Sequence, residues 1–296
     1  MAGLAAGALW GLVFVAPALA PGLLPVDLAA GRFAVFGLVS LLIVSVGYLR
    51  GRSRMPTWRQ AGAAALLSAL GFSGYYLLLV YAIRDAGVAV PTMIIGTVPV
   101  WVMLLGKPVG LRWRSLIPGL LLTLTGVALM MTADSASDTD ARPHSWVFWR
   151  GVLSGLLAMA SWVVFAILNS AWLKRHTGVQ LADWTSWMGV SSGVAAVALW
   201  GLMGTPLELL LAHTDIARVA MVCIATGVGS AWVATILWNF ASRRLSASLC
   251  GQLIVSETLF ALFYAFLVHG DWPHPLQWWA SGIFLLGLVA SVRAHR

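Results

Sequence analysis

Charge is what this sequence has least of. Only 9% of its 296 residues are Asp, Glu, Lys or Arg, against about 25% in an ordinary soluble domain. With 60% hydrophobic residues and a mean hydropathy of +0.89, a water-soluble globular fold is excluded. Cysteine is nearly absent too. Cys223 and Cys250 lie in apolar runs with no His or Cys nearby at metal-ligand spacing, so neither a disulfide framework nor a metal site is indicated. Histidine is confined to loops and ends: His144, His176, His213, His269, His274 and His295. No HExxH, no Ser–His pair, no paired intramembrane Asp and no GxxxxGK[ST] loop occurs, so intramembrane catalysis and direct ATP drive have no residues to carry them. The expectation is a protein that is not an enzyme and needs no cofactor.

What the sequence has instead is one long apolar run after another. A hydrocarbon core of about 30 Å takes roughly 20 residues of helix, and these runs are that long, unlike the short alternating segments of an outer-membrane barrel. The fold class is an all-α polytopic membrane protein. Loop charges, Pro and Gly place helices near 3–21, 28–49, 60–83, 88–106, 115–132, 150–173, 183–203, 217–240, 246–268 and 276–292. The opening MAGLAAGALWGLVFVAPALA has no basic n-region and no cleavage site clear of the next helix, so it reads as a retained first helix. The only long linker, ADSASDTDARPHSWVFW, is polar and acidic. It divides a first five-helix half, 1–133, from a second, 150–296, with 134–149 as a periplasmic linker.

The net charge of +8 does not point to nucleic acid, because the basic residues never form one stripe on a soluble face. They follow topology. With both termini cytoplasmic, the inside segments hold Arg50, Arg52, Arg54, Arg59, Lys107, Arg112, Arg114, Lys174, Arg175, Arg243, Arg244, Arg293 and Arg296, thirteen of the eighteen Lys and Arg, as the positive-inside rule asks.

The halves also align. GLAAGALWGLVF (3–14) matches GLLAMASWVVFA (155–166), which pairs Trp10 with Trp162. The run from Asp27 follows that from Asp183, and the run from Tyr81 follows that from Asn239. Five crossings per half is an odd number, so the halves are expected upside down relative to each other, and the RD turn after helix 3 against RR after helix 8 agrees. Inverted repeats build transporters with a substrate site near the midplane and alternating access.

The residues LWGLVFV, DLAAGRF, TVPVWVMLLG, IPGLLLTLTGVALM, SASLCGQLIVSETLFALFYAF and ASGIFLLGLVAS together resemble the drug/metabolite transporter superfamily, EamA type, and in particular the YddG-like exporters of aromatic and other amino acids. The resemblance implies a carrier of the bacterial inner membrane that exports amino acids. Glu257 matches the family Glu of helix 9, with Thr258 where a Pro is usual. Pro99 keeps the family Pro of helix 4, and Arg32 matches the Arg that opens helix 2. Lys107 stands where the family's turn after helix 4 has an acid, which puts a shared gating role for that turn in doubt.

Depth sorts the candidate site residues. Trp58, Trp113, Trp146, Trp149, Trp172, Trp272, Trp278 and Trp279 fall at helix ends or in linkers and read as an interfacial belt. Trp10, Trp101, Trp162 and Trp232 lie deeper. Gly3, Gly7, Trp10, Phe14 and Pro17 share one stripe of helix 1; Gly155, Trp162, Ala166 and Asn169 share one of helix 6. Polar groups at membrane depth need internal partners or water. Adding them gives an expected lining of Trp10, Phe14, Ser73, Tyr75, Tyr81, Trp101, Trp162, Asn169, Trp232, Asn239 and Glu257. Aromatic faces with few charges suit flat or cationic organic substrates; simple packing is the competing reading for each Trp. Gly96, Pro99 and Gly251 are the candidate hinge residues, helix 4 being the more bendable gate.

Glu257 sits near the bilayer centre, where a charge must face protein, water or a partner. It is a substrate or proton ligand, a hydrogen-bonding tie to a neighbouring helix, or the ion-pair partner of Arg32. The family's retention of this Glu across unlike substrates favours the tie. Arg32 and Arg218, at outer helix starts, read as side chains that snorkel to the interface. The expected function is amino acid export, aromatic substrates included, by a unit that can work as a monomer in the lipid bilayer. The alternative is a proton-coupled multidrug or metabolite transporter with Glu257 as the titrating group.

Overall fold

The structure is a computed structural model and describes residues 1–86, 89–107, 112–134, 146–269 and 275–294. Among these residues it is all helix and turn. The helices are α1 (Ala2–Leu19), α2 (Pro25–Leu49), α3 (Trp58–Ser68), α4 (Gly74–Ala86), α5 (Ala89–Gly96), α6 (Val98–Leu105), α7 (Trp113–Asp134), α8 (Trp146–Arg175), α9 (Leu181–Met203), α10 (Leu207–Leu211), α11 (Ile216–Ala225), α12 (Ala234–Arg244), α13 (Ala247–His269) and α14 (Pro275–Ala294). Single π-helical segments, Ala69–Ser73 and Thr226–Val233, join α3 to α4 and α11 to α12.

Each segment expected to be helical is helical, with ends shifted by a few residues. Among the described residues six helices are long and apolar enough to cross a membrane: Pro25–Leu49, Trp58–Ala86, Trp146–Arg175, Leu181–Met203, Ile216–Arg244 and Pro275–Ala294. Ala2–Val13, Ile94–Leu105 and Ala247–Ala261 are shorter apolar helices. Large aliphatic side chains stand on the outer faces, among them Leu38, Leu42 and Val194, each more than 60% exposed. Such a surface is unfavourable in water and neutral against lipid tails.

Local chemistry sets the ends. Thr57 caps α3 in a two-way box: its hydroxyl accepts from the Gln60 amide, and the Thr57 amide donates to the Gln60 side chain. Such a cap contributes about 1 kcal/mol. Pro25 opens α2, where its missing N–H costs nothing. Gly51, at φ +66°, closes the turn after α2. Helix 4 of the sequence reading is broken, as its prolines suggest: α5 stops at Gly96 and α6 restarts at Val98 and Pro99, with the Thr97 hydroxyl donating to the Ile94 carbonyl at 2.6 Å. Helix 9, which is α13, runs without interruption.

Packing is by long neighbours, antiparallel except for α1 and α13, which run in the same direction. α2 lies along α9, α7 along α14, α1 along α13 and α4 along α8. α2 and α9 cross where glycines remove side chains: a Cβ on Gly37 would stand 2.7 Å from the Cα of Gly193. Each of these two helices also holds the loop beyond the other. Asp27, in the first turn of α2, accepts from the Thr205 amide at 2.8 Å and its hydroxyl at 2.6 Å. Asp183, in the first turn of α9, accepts from the Ser53 hydroxyl at 2.7 Å. Both carboxylates are buried, and each sits at a helix N-terminus that favours negative charge. α1 meets α13 through Gly3, Gly7 and Gly11, whose bare faces lie against Leu253, Ser256 and Ala261, the close approach expected of the small residues in GLAAGALWG.

Candidate functional site

Two polar or aromatic assemblies occupy the middle of the bundle, and they differ in how far their groups are satisfied. The first is closed. Asn169 on α8 is fully buried, donates to Asn239 on α12 at 2.8 Å and accepts from the Trp184 indole on α9 at 2.9 Å. Asn239 donates in turn to Thr185 at 2.9 Å, and Trp184 stacks on Trp172 with ring centroids 3.4 Å apart. Trp232 joins from the π segment, its indole donating to Ser186 at 3.2 Å. Three expected lining residues, Asn169, Asn239 and Trp232, are therefore engaged in ties between helices. Trp172, expected in the interfacial belt, is a corrected assignment: it is stacked between Trp184 and His176.

The second assembly is open. Trp10 on α1, Trp162 on α8 and Trp238 on α12 form a triangle with centroid separations of 6.4, 5.2 and 6.3 Å. Phe165 joins Trp162 to Phe72, which contacts Phe33 and Phe36; Phe33 in turn contacts Tyr76. The repeat mates Trp10 and Trp162 thus touch, and Trp238, which the sequence reading passed over, closes the group. Its Nε1 is buried without a partner, as is the hydroxyl of Thr235 one turn away. Buried donors left unpaired cost about 1–3 kcal/mol each, so a polar occupant would be stabilised there.

Arg32 on α2 lies within electrostatic reach of Tyr75 and Tyr76 on α4 and of Glu257 on α13, and Tyr75 within reach of Glu257. α13 packs along neither α2 nor α4. Arg32 does not snorkel. Its Nε is buried without a partner and its guanidinium carbon lies 5.1 Å from the Phe33 ring centre. Nor does it pair with Glu257: among the described residues no N···O approach within 4.0 Å joins them. Glu257 makes no hydrogen bond to any described residue, so the tie favoured from sequence has no partner there. Tyr76 donates to the Pro25 carbonyl at 2.6 Å. The Tyr75 hydroxyl bonds no described residue. Gly7 sets the depth of Glu257 against Trp10, since a Cβ on Gly7 would stand 3.1 Å from the Glu257 amide nitrogen.

Other expected residues lie elsewhere. Tyr81 points its hydroxyl at Met203 Sδ, 3.8 Å away, with the Arg84 guanidinium 4.6 Å from its ring centre. Arg84 and Arg150 both bond Asp85 nearby. Trp101 is 43% exposed, in line with the more exposed Leu105, and shares no ring contact with the aromatic set. Ser73 ends the first π segment, half-buried, while the Phe14 and Thr258 side chains and the whole of Trp272 lie outside the described residues. Gly96 and Pro99 flank the break between α5 and α6. Gly251 serves contact: a Cβ there would stand 2.8 Å from Val102 Cγ1. Neither π segment was anticipated; π-helical turns within helices are frequent at functional sites, and Ser161 donates to the Leu70 carbonyl in the first at 2.7 Å.

Apolar helices around unpaired charges at depth, one helix broken and two bulged, define a multi-pass membrane transporter. The EamA-like transporter family matches residues 1–132. Inner membrane protein YtfF of Escherichia coli (strain K12) is 30% identical, with 98% of this chain and 94% of that protein aligned. The chain belongs to the EamA-like transporter family. A solved crystal structure superposes on 100% of this chain and 96% of its own, with a TM-score of 0.79 at 17% identity, and shares the fold.

Proposed function

We propose that the protein exports amino acids, aromatic ones among them, across the bacterial inner membrane. It works by alternating access between two inverted five-helix repeats, residues 1–133 and 150–296, with both termini cytoplasmic. The observation that carries the substrate class is the aromatic triangle of Trp10, Trp162 and Trp238 beside the unpaired charges of Arg32 and Glu257. Aromatic stacking contributes about 0.5–1.5 kcal/mol per pair beyond burial, and opposite unpaired charges suit a substrate bearing both signs.

The inverted arrangement draws support from matched details. The two π segments fall in helices 3 and 8 of the repeat. Asp27 and Asp183, aligned in the repeat, make reciprocal bonds, and Gly37 and Gly193, each ten residues further on, touch each other. The relative's description as an inner membrane protein supports the location. In proteoliposomes loaded with unlabelled amino acids, external labelled phenylalanine should accumulate by exchange. Sound, monodisperse protein that exchanges no amino acid at all would sink the reading.

A second reading, proton-coupled carriage of other organic compounds, is favoured by Glu257 alone, a solitary acid with no bond to the described residues. If Glu257→Gln leaves both the rate and its pH dependence intact, that reading is lost.

A further inference from the structure

We infer that Arg32 and Glu257 are the two prongs of a zwitterion site: the guanidinium takes a substrate's α-carboxylate and the Glu257 carboxylate takes its α-ammonium. The substrate side chain then lies among the aromatic rings of α1, α8 and α12. This rests on the amino acid reading and sharpens it, because it assigns each half of the zwitterion to a named side chain.

An Arg and a Glu enclosed in an apolar bundle are costly unless paired, and the least costly arrangement is a direct ion pair. Here the pair is withheld. α2 and α13 do not pack together, Arg32 leaves Nε buried and unbonded, and no N···O contact within 4.0 Å joins the two. Both border the aromatic set, Arg32 through the Phe33 ring beneath its guanidinium and Glu257 through Gly7, one turn before Trp10. Opposite charges left without a protein partner in one bundle are completed by a molecule carrying the complementary two.

Guanidinium and carboxylate match as a planar, two-bond fork, and an α-amino acid presents its carboxylate and ammonium on one carbon. Tyr75, whose hydroxyl bonds no described residue and which lies within reach of both charges, can hydrogen-bond either end. The rings are at the right level. Gly7 and Gly11, on either side of Trp10, lie against Glu257 and Ala261 of α13. The Phe33 ring, under the Arg32 guanidinium, begins the aromatic chain that leads to Trp162. Tyr76, the remaining neighbour of Arg32, is committed to the Pro25 carbonyl, which leaves the Arg32 fork for the ligand.

The test uses the full chain, with phenylalanine against two analogues that each lack one charge: phenethylamine, without the carboxylate, and 3-phenylpropanoate, without the ammonium. Two readouts are taken, exchange in proteoliposomes and ligand stabilisation against heat in detergent. In the wild type, phenylalanine should compete at least tenfold better than either analogue. Glu257→Gln should lower phenylalanine exchange at least tenfold and remove the penalty on 3-phenylpropanoate. Arg32→Gln should do the converse for phenethylamine, and Arg32→Lys should retain part of the activity. Should the Gln variants not fold, the wild-type analogue series and Glu257→Asp still decide. Phenylalanine exchange with both analogues competing equally, or both Gln variants losing all ligands alike, overturns the charge assignment and leaves amino acid transport standing. Heat stabilisation by phenylalanine alone without exchange overturns the transport reading and supports the site. Neither exchange nor stabilisation overturns both.

Discussion

The closed network around Asn169 and the open group around Glu257 are both polar, both deep and both built from several helices, yet they do opposite things with their hydrogen bonds. Asn169 and Asn239 spend their polar groups on Trp184, Thr185 and each other. Arg32, Glu257 and Tyr75 leave theirs unspent. A polar group whose bonds are filled by the protein fixes helix position; one left unfilled is available to a ligand. Residue type and depth do not separate the two kinds, and satisfaction does.

The largest expected effect breaks the closed side. Asn169→Ala strands the Trp184 indole and the Asn239 carbonyl oxygen, and two buried unpaired groups together cost about 2–6 kcal/mol. Thermal unfolding in detergent should show a clear drop in midpoint, with transport per folded molecule preserved at low temperature. Glu257→Gln is the counterpart: with no bond to a described residue to lose, its midpoint should stay within about 0.5 kcal/mol of wild type while exchange falls. Equal stability losses from the two changes would erase the distinction.

Next comes the aromatic triangle. Trp10→Ala removes a ring from the open group and should reduce exchange of phenylalanine about tenfold more than exchange of alanine, since stacking is lost and backbone recognition is kept. A uniform loss for both substrates would make Trp10 a packing residue.

How much of this was legible in the sequence follows from the solvent. Hydropathy located the long helices, because lipid demands long apolar runs, but not the short α10, and Pro99 marked the break between Gly96 and Val98. Facing was not legible. Lipid tails are as apolar as a protein core, so no amphipathic stripe separates Trp101, which is exposed, from Trp238, which is buried. Arg32 was misjudged because α2 begins at Pro25 rather than near residue 28, which sets the side chain two turns deep instead of one. The π segments left no mark, since a π turn within a helix does not interrupt an apolar run.

A smaller effect separates the two Asp bonds that join α2 and α9. Asp27 keeps the Thr205 amide when Thr205→Ala removes the hydroxyl, whereas Ser53→Ala takes the one hydrogen bond that Asp183 makes among the described residues. A charge-assisted bond contributes about 1.5–3 kcal/mol, less where water replaces it. Ser53→Ala should therefore lower the unfolding midpoint more than Thr205→Ala, by about 1 kcal/mol. The reverse order would mean that water takes the place of Ser53 without loss.

The smallest effect belongs to Trp101, and it asks whether depth alone makes a transport residue. Trp101 sits one turn past the break in helix 4, close in sequence to Thr97 and Pro99, and on depth it ranks with Trp10 and Trp162. Its ring, however, is 43% exposed and touches none of the aromatic set. A ring on the lipid side is exchangeable with an aliphatic chain, because both are apolar and neither loses a partner. Trp101→Leu should leave phenylalanine exchange within about twofold of wild type and the unfolding midpoint within about 0.5 kcal/mol. A tenfold loss of exchange with unchanged stability would instead mean that the face of α6 bearing Trp101 turns toward the substrate during the transport cycle. The break at Gly96 would then be the hinge about which it turns.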